Sequence, residues 1–266
     1  MSKQSISSQA FWAMVQRDLI AQWRDKWEFV FRVAMLPFIL ILVYGFVLPH
    51  IGMLPETFPT QMFAGMIGMS ILITGIHGTA IPFTMDFNNM HEIEDRLEAP
   101  VSANLVALAK MFVGIIEAFI GGILVLPISL IFMGTRIHLS MTAGKVPLLI
   151  LVLILIALAS AALGLLVGTI IKPMQIAAMF PGFLMPVVFT GAIFFSWKSL
   201  SPVPVFKYIV LINPLVYANE ALRYCMTPQI DSMPIWASLL GLVAAILIMG
   251  YFGFKRFHRM ATGDVK

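Results

Sequence analysis

The sequence predicts an all-α integral membrane protein with six transmembrane helices, an amphipathic interfacial helix near the N-terminus, and a short cytoplasmic helix between spans two and three. Composition is the first reason. The 266 residues are 60% hydrophobic and 11% charged, with a mean hydropathy of +0.94, whereas soluble domains carry about 25% charged residues. Hydropathy patterning is the second reason, because six separate segments reach the about 20 mostly apolar residues that a bilayer-spanning helix needs. A soluble fold of this composition would expose too much apolar surface to water.

The predicted spans, numbered one to six in chain order, cover about residues 29–48, 61–83, 104–132, 147–171, 175–195 and 235–254. Span five contains Pro181, Gly182 and Pro186, so we expect a broken helix whose freed backbone groups face protein or a wet cavity. Residues 196–234 are apolar but interrupted by prolines, and they predict one or two short helices that dip into the outer leaflet or cap the bundle. The chain then divides into a cytoplasmic N-terminal region, a six-helix transmembrane domain and a cytoplasmic tail, at 1–30, 31–255 and 256–266.

The distribution of Lys and Arg predicts that both termini are cytoplasmic. With the N-terminus inside, the cytoplasmic segments hold twelve of the 17 Lys and Arg residues, and the loop at 49–60 has none. The net charge of +4 and the pI near 9.3 then reflect membrane topology and not nucleic-acid binding. We expect a multi-pass protein of the cell membrane whose first span directs insertion, because charged residues precede it where a signal peptide would be apolar.

Residues 9–30 predict an amphipathic helix on the inner membrane surface. Phe11, Val15, Leu19, Trp23 and Trp27 recur every four residues, and Trp suits the depth of the lipid headgroups. The polar residues that we expect on the remaining surface are Gln16, Arg17, Asp18, Gln22, Arg24, Asp25 and Glu28. Two interpretations are open: a lipid anchor, and a docking surface for a cytoplasmic partner.

The loop between spans two and three, residues 84–103, is the most charged stretch of the chain. Its segment 91–98 is a candidate short helix in which Ile93 and Leu97 share one face. The acidic residues of this loop are Asp86, Glu92, Glu94, Asp95 and Glu98. An acidic cytoplasmic segment suits a basic partner surface.

Two ionisable residues, His77 and Glu117, lie inside predicted spans. Such groups are costly in a bilayer and suggest function. Three interpretations are open: a helix-packing hydrogen bond in which His77 is a conceivable partner of Glu117, a lining of a substrate path, and a proton relay. The relay would make the protein a proton-coupled secondary transporter.

Motifs for catalysis are missing from the sequence. It contains no G-x-x-x-x-G-K-[S/T], H-E-x-x-H or G-x-S-x-G, the five His residues lack ligand spacing, and Cys225 is the single cysteine. We therefore expect no enzyme activity and no cofactor or metal in this chain. A membrane-embedded lipid enzyme would need a clustered catalytic set that the sequence does not show, and a purely structural membrane subunit is a further alternative.

Two stretches have a specific pattern. Residues 92–102 (EIEDRLEAPVS) lead into a span with Lys110 near its start, and residues 211–223 (LINPLVYANEALR) stand just before span six. In this order among six spans, they resemble the signature of type-2 ABC exporter permeases, and the resemblance covers nearly the whole chain.

The resemblance implies a permease subunit that pairs with a second permease copy, expected to be identical, and binds two cytoplasmic ATPase subunits carrying ATP and Mg. The segment 91–98 is similar to the family's coupling helix, and the N-terminal helix is similar to its connecting helix. The residues expected to contact the ATPase are Glu92, Glu94, Asp95, Arg96, Leu97, Glu98, Arg17 and Arg24. Asn213, Pro214 and Tyr217 fall in the segment that resembles an outer gate.

The implied mechanism is ATP-driven export by alternating access, with a path between two copies along spans two and five. The candidate path residues are Phe180, Phe183, Met185, Phe189, Phe194, Phe195, His77 and Glu117. An aromatic, weakly charged lining favours lipid-like, drug-like or lipid-linked substrates over ions.

Overall fold

The long apolar segments of the sequence fold as helices, because backbone groups without access to water must hydrogen-bond within their own segment. A computed structural model describes residues 3–88 and 103–261, and in that part of the chain it contains helices, turns and loops but no strand. The helices are Lys3–Arg24, Lys26–Leu40, Leu48–His50, Phe58–Asn88, Ala103–Met133, Val146–Gly168, Ile176–Met179, Met185–Thr190, Pro204–Ile209, Pro214–Met226 and Ile235–Ala261. Shorter 3₁₀ and π segments are Ile41–Val47, Gly134–Arg136, Ala143–Lys145, Pro173–Gln175, Phe180–Leu184, Trp197–Leu200 and Val210–Ile212.

The all-α membrane architecture is confirmed. Among the described residues, 5 helices are long and apolar enough to cross a membrane, and a bent helix pair supplies a sixth candidate. The five straight candidates, which correspond to predicted spans one to four and six, are Lys26–His50, Phe58–Met85, Asn104–Arg136, Ala143–Gly168 and Ile235–Met260.

Span five is broken, as its prolines predict. Its two halves, Pro173–Met179 and Pro181–Thr190, meet at an angle of 42°, and a π-helical segment lies at the junction. Pro lacks a backbone N–H and its ring clashes with the preceding turn, so Pro181 and Pro186, five residues apart and next to Gly182, weaken the helix at this junction.

Span two lies at the centre of the bundle. In its most apolar stretch of 18 residues, 89% is buried inside the protein, whereas the corresponding value for span six is 17%. Small residues allow this close packing: Gly75 faces Ser160 of span four, and a Cβ placed on Gly78 would lie 2.5 Å from Glu117 Oε2 of span three. Span two is therefore the helix against which spans three and four are positioned.

The N-terminal helix, Lys3–Arg24, packs on span three. Val15 is buried with Val113 and Ala109, and Phe11 makes an edge contact with Phe112 at 5.8 Å. Trp23 is 74% exposed, so it stands away from this contact. Phe11, Val15 and Leu19 of the four-residue repeat pack on span three, whereas Trp23 lies on a different side of the helix. In a helix of 3.6 residues per turn, a step of four residues advances the direction by about 40° each time.

Two polar residues lie on the same side of the helix as Phe11 and Val15, because the four positions follow a spacing of four, three and four: Phe11, Val15, Asp18 and Gln22. Asp18 is buried, although the helical pattern places it among the polar surface residues. Two polar side chains of the N-terminal helix are therefore directed into the bundle.

The segment after span five forms the short helices Pro204–Ile209 and Pro214–Met226. The longer one, called the 214–226 helix below, is buried over most of its length. The predicted coupling helix at 91–98 lies outside the described residues, so it stays a prediction. The division at residues 30 and 255 and the cytoplasmic position of both termini also stay predictions.

Candidate functional site

A buried ion pair joins the N-terminal helix to span three. Lys110 Nζ lies 2.6 Å from Asp18 Oδ2, and the two side chains are 3% and 8% exposed. Arg17, on the more exposed side, also contacts Asp18, with 3.1 Å between Arg17 Nη2 and Asp18 Oδ1. Burial of opposite charges is tolerated only when they are paired at close range. The pair therefore fixes the position of the N-terminal helix against span three.

A second polar contact between the same helices involves Glu117. Gln22 Nε2 donates a hydrogen bond to Glu117 Oε1 at 2.6 Å, while Glu117 Oε2 faces Gly78 and has no hydrogen-bond partner among the described residues. Gln22 is thus a hydrogen-bond donor to Oε1 that the sequence did not suggest. Sequence reasoning missed Gln22 because its inward direction depends on the rotation of the N-terminal helix.

His77 lines a cavity of about 500 Å³ between the N-terminal helix, the start of span one and the last turns of span two. We call it the N-terminal cavity. Its charged residues are Arg17, Asp18, Asp25, Glu28, Arg32 and Lys110, and its apolar wall is formed by Phe29, Ile81, Pro82 and Met85. The positive charge of Arg32 acts electrostatically on both His77 and Glu117. A polar cavity at this depth offers charged groups an alternative to lipid.

The aromatic residues of span five lie in a different part of the bundle. The rings of Phe189 and Phe194 stack at 6.2 Å, and Phe194 contacts Tyr44 at 5.0 Å between ring centroids. Tyr44 stands near the end of span one, whereas the N-terminal cavity lies at its start. The candidate path residues therefore form two groups toward opposite ends of the spans.

The other aromatic candidates have separate surroundings. Phe183 packs partly buried against the main core, Phe195 contacts Phe206 at 6.3 Å, and Met185 is half-buried. The side chain of Phe180 lies outside the described part of the chain. The structure thus gathers Phe189 and Phe194 but does not bring all six span-five candidates into one lining.

The three outer-gate candidates connect the 214–226 helix to its neighbours. Asn213 Oδ1 accepts from the Leu215 N–H at 2.9 Å, which is a helix cap, and its Nδ2 donates to the Val187 carbonyl at 2.6 Å. Pro214 occupies the first turn, where its missing N–H costs nothing. The Tyr217 hydroxyl donates to the Leu211 carbonyl at 2.8 Å. Span five is thereby tied to the 214–226 helix.

Sequence reasoning missed a buried ion pair in the same helix. Arg223 Nη1 lies 2.7 Å from Glu220 Oε1, and both side chains are fully buried. Arg223 also donates to the carbonyls of Ala192 and Ile193 just after span five, and to the Gln61 carbonyl of span two. An acid and a base three residues apart inside an apolar helix were the signal available in the sequence.

Glu220 completes this cluster by accepting backbone hydrogen bonds from two loops. The Trp197 N–H donates to Oε1 at 2.9 Å, and the Met233 N–H donates to Oε2 at 2.6 Å. Burial lowers the pKa of Arg223, while the Glu220 carboxylate acts in the opposite direction. Ala192, whose carbonyl Arg223 holds, has a left-handed backbone with φ of 55°. The Glu220–Arg223 pair therefore organises the sharp turn after span five.

No group of three or more His, Cys, Asp or Glu residues in the described ranges could hold a metal ion. Cys225 is buried, and burial raises the pKa of its thiol. A thiol with a raised pKa carries less of the reactive thiolate. The clusters described above hold helices together through buried ion pairs and hydrogen bonds.

Comparison with known proteins identifies the family. The chain is 28% identical over 161 residues to the inner membrane transport permease YadH of Escherichia coli K12 and to the protein of the same name in Shigella flexneri. These alignments cover 60% of the chain and 59% of each relative, so the chain spans about three fifths of the length of the curated relatives that it matches. The model of the ABC-2 type transporter family matches residues 9–227, from the N-terminal helix to the end of the 214–226 helix. Because that match covers most of the chain, the protein belongs to the ABC-2 type transporter family.

Proposed function

We propose that this chain is the transmembrane permease subunit of an ATP-driven exporter in the inner membrane. The observation that carries the proposal is the family match over residues 9–227, which includes the N-terminal helix and five of the six candidate spans. The name of the relatives, inner membrane transport permease, supports the same function and location. Transport by alternating access needs no catalytic group in the permease, in keeping with the structural character of the buried clusters.

ATP hydrolysis belongs, on this proposal, to separate cytoplasmic ATPase subunits that bind ATP and Mg. The sequence contains no G-x-x-x-x-G-K-[S/T] motif to bind the phosphates itself. Two such subunits and a second, identical permease copy would complete the transporter. Both termini then face the cytoplasm, which is the side of the Lys and Arg excess.

The architecture supports a common docking end for the ATPase. The loop that contains the predicted coupling helix connects the ends of spans two and three, at Asn88 and Ala103. Lys110, seven residues after Ala103, holds the N-terminal helix through Asp18. The N-terminal helix therefore packs on the end of span three that begins at Ala103, which supports the proposal that one partner touches both this helix and the predicted coupling helix.

A displacement of the N-terminal helix can be transmitted to spans three and two through a small number of side-chain contacts. The Lys110–Asp18 pair and the Gln22–Glu117 hydrogen bond connect this helix to span three, and Glu117 packs against Gly78 of the central span two. Closely packed helices move as units and not as a deformable medium. We infer that ATPase movement reaches spans two and three through these contacts as well as through the coupling helix.

A lipid-like, drug-like or lipid-linked substrate is proposed from the aromatic group near the ends of spans one and five. Phe189 is 49% exposed at the surface of the single chain, where a second copy can contribute the other half of a path. Substrate resistance or export assays on Phe189→Ala test this step. Flux equal to wild type for every substrate tried would remove Phe189 from the path.

The proton-coupled alternative is not supported by the site. It needs proton exchange between His77 and Glu117, whereas Glu117 Oε1 accepts its hydrogen bond from Gln22. The alternative predicts transport driven by a pH gradient without any ATPase, and loss of that transport in Glu117→Gln.

The first test of the proposed function is purification of the tagged chain from native membranes in mild detergent. We expect an ATP-binding protein to co-purify in about equal amount and to hydrolyse ATP. Charge reversal by Glu94→Lys with Asp95→Lys is expected to reduce both the recovered ATPase and the hydrolysis. Asp231→Lys is the matched control, because Asp231 is an exposed acid in the segment between span five and span six. Absence of any ATPase, or equal loss in the control, would refute the proposed coupling.

A further inference from the structure

The N-terminal cavity contains charges that the described contacts do not satisfy. Asp18 already pairs with both Lys110 and Arg17, so one acid is shared by two bases in this group. The remaining charged lining residues are Arg32, Asp25 and Glu28, all from the junction and first turns of span one. They give the cavity one positive and two negative groups with which a ligand can pair.

Arg32 is the deeper of these groups. It lies six residues beyond Lys26, the first residue of span one, or about 9 Å along the helix axis. Its Nε is buried and has no hydrogen-bond acceptor among the residues that the structure describes. A guanidinium N–H that is removed from water without an acceptor is costly. An anionic group entering the cavity would satisfy it.

Asp25 and Glu28 stand closer to the mouth of the cavity. Both are exposed, and they precede Arg32 by seven and four residues, which is about 10 Å and 6 Å along the axis. Glu28 and Arg32 lie on one face of the helix because they are four residues apart, and Asp25 is the residue just before this helix. The cavity thus presents a cation inside and two carboxylates outside, in a fixed order along the chain.

Phospholipids with a phosphoethanolamine headgroup have the complementary order of charges. Their phosphate is attached next to the acyl chains and their primary ammonium lies further toward water. Phosphate pairs well with the guanidinium fork, and an ammonium with three N–H donors can hydrogen-bond to carboxylates. The apolar wall, formed by Phe29, Ile81 and Met85 among others, suits the glycerol and the upper acyl chain.

We propose that the N-terminal cavity binds the headgroup of a membrane phospholipid that carries both a phosphate and a primary amine. The phosphate contacts Arg32, and the ammonium contacts Asp25 and Glu28. Since the cavity is bounded by the N-terminal helix, the bound lipid stabilises the seating of that helix on the bundle. The site requires neither ATP nor substrate, so it is independent of the proposed export function.

The test uses the purified full-length chain, delipidated and titrated with three lipids that have the same acyl chains. Native mass spectrometry counts the bound molecules of phosphatidylethanolamine, phosphatidylcholine and phosphatidylglycerol. We expect phosphatidylethanolamine to bind about tenfold more tightly than the other two, because phosphatidylcholine lacks N–H donors and phosphatidylglycerol lacks the cation. Equal binding of the three lipids, or a preference for phosphatidylglycerol, would overturn the proposal.

Variants separate the two halves of the site. Arg32→Gln is expected to lower phosphatidylethanolamine binding to the level of phosphatidylcholine, and Arg32→Lys to retain part of it. Asp25→Asn with Glu28→Gln should abolish the preference over phosphatidylcholine. Because both acids are exposed, this double variant is expected to fold even if Arg32→Gln does not.

The control for a general charge effect is Glu56→Gln, an exposed acid in the loop between spans one and two. It should leave the lipid preference unchanged. An unchanged preference in the Asp25 and Glu28 double variant, or an equal loss in the Glu56 control, would assign the selectivity elsewhere.

Discussion

The Glu220–Arg223 pair offers the sharpest test of how the outer part of the bundle is held. In Arg223→Met, a side chain of similar length replaces the guanidinium, and the Glu220 carboxylate stays buried without its cation. The carbonyls of Ala192 and Ile193 lose their donor at the same time. Breaking a buried ion pair by removing one partner costs about 3–5 kcal/mol. We expect a loss of stability in this range.

The assay is equilibrium unfolding of the purified chain in mixed micelles with increasing SDS, followed by circular dichroism. The double variant Glu220→Gln with Arg223→Met removes the orphaned charge but keeps an acceptor for the Trp197 and Met233 N–H groups. It should be at least about 1 kcal/mol more stable than Arg223→Met alone.

The matched control is Lys198→Met. Lys198 also pairs with an acid, Asp231, but at 3.6 Å and with side chains that are 46% and 86% exposed. Exposed pairs contribute less than about 1 kcal/mol. The reasoning fails if the free energy of unfolding of Arg223→Met is within about 1 kcal/mol of the wild-type value. It also fails if the double variant loses as much stability as Arg223→Met and Glu220→Gln lose separately, added together.

Two further predictions concern the packing of spans two and three. Lys110→Met should destabilise the fold by about 3 kcal/mol, because it leaves Asp18 buried without its closest cation. Arg17→Met removes an exposed partner of Asp18 and should cost less than about 1 kcal/mol. Equal losses of stability in the two variants would contradict the difference in burial between Lys110 and Arg17. Gly75→Ala should cost about 1–3 kcal/mol, because the added Cβ meets the Ser160 side chain, while Gly250→Ala has open space and should be neutral. Thermal melting in detergent measures both, and a tolerated Gly75→Ala would show that spans two and four can separate without cost.

Much of the architecture was predictable from hydropathy. Predicted spans one to four and six each overlap a helix that is long and apolar enough to cross a membrane, because bilayer thickness sets the minimum length and backbone satisfaction excludes other structures. The break in span five was predictable as well, because two prolines and Gly182 fall within six residues of one another there. These features depend on local chemistry and do not require knowledge of which helices are neighbours.

The candidate site was only partly predictable. His77 and Glu117 stood out as ionisable groups in apolar segments, but the sequence offered no means of finding Gln22 as the donor to Glu117. The direction of Asp18 and Gln22 depends on the rotation of the N-terminal helix, which the four-residue repeat of apolar residues does not fix for the polar side chains beside it. The family resemblance, which depended on 92–102 and 211–223, was confirmed over residues 9–227, while the roles of the coupling residues remain predictions.

Apolar length, proline placement and charge composition thus determined that the chain is a multi-pass helical membrane protein, and where its helices begin, end and break. Only the tertiary structure decided that Asp18 meets Lys110, that Arg223 holds the turn after span five, and that Arg32 faces a cavity with Asp25 and Glu28 at its mouth. The physical reason is the range of the interactions. Burial in lipid acts on each segment separately, whereas an ion pair between distant segments forms only after packing has set the helix rotations and brought the partners within a few ångströms.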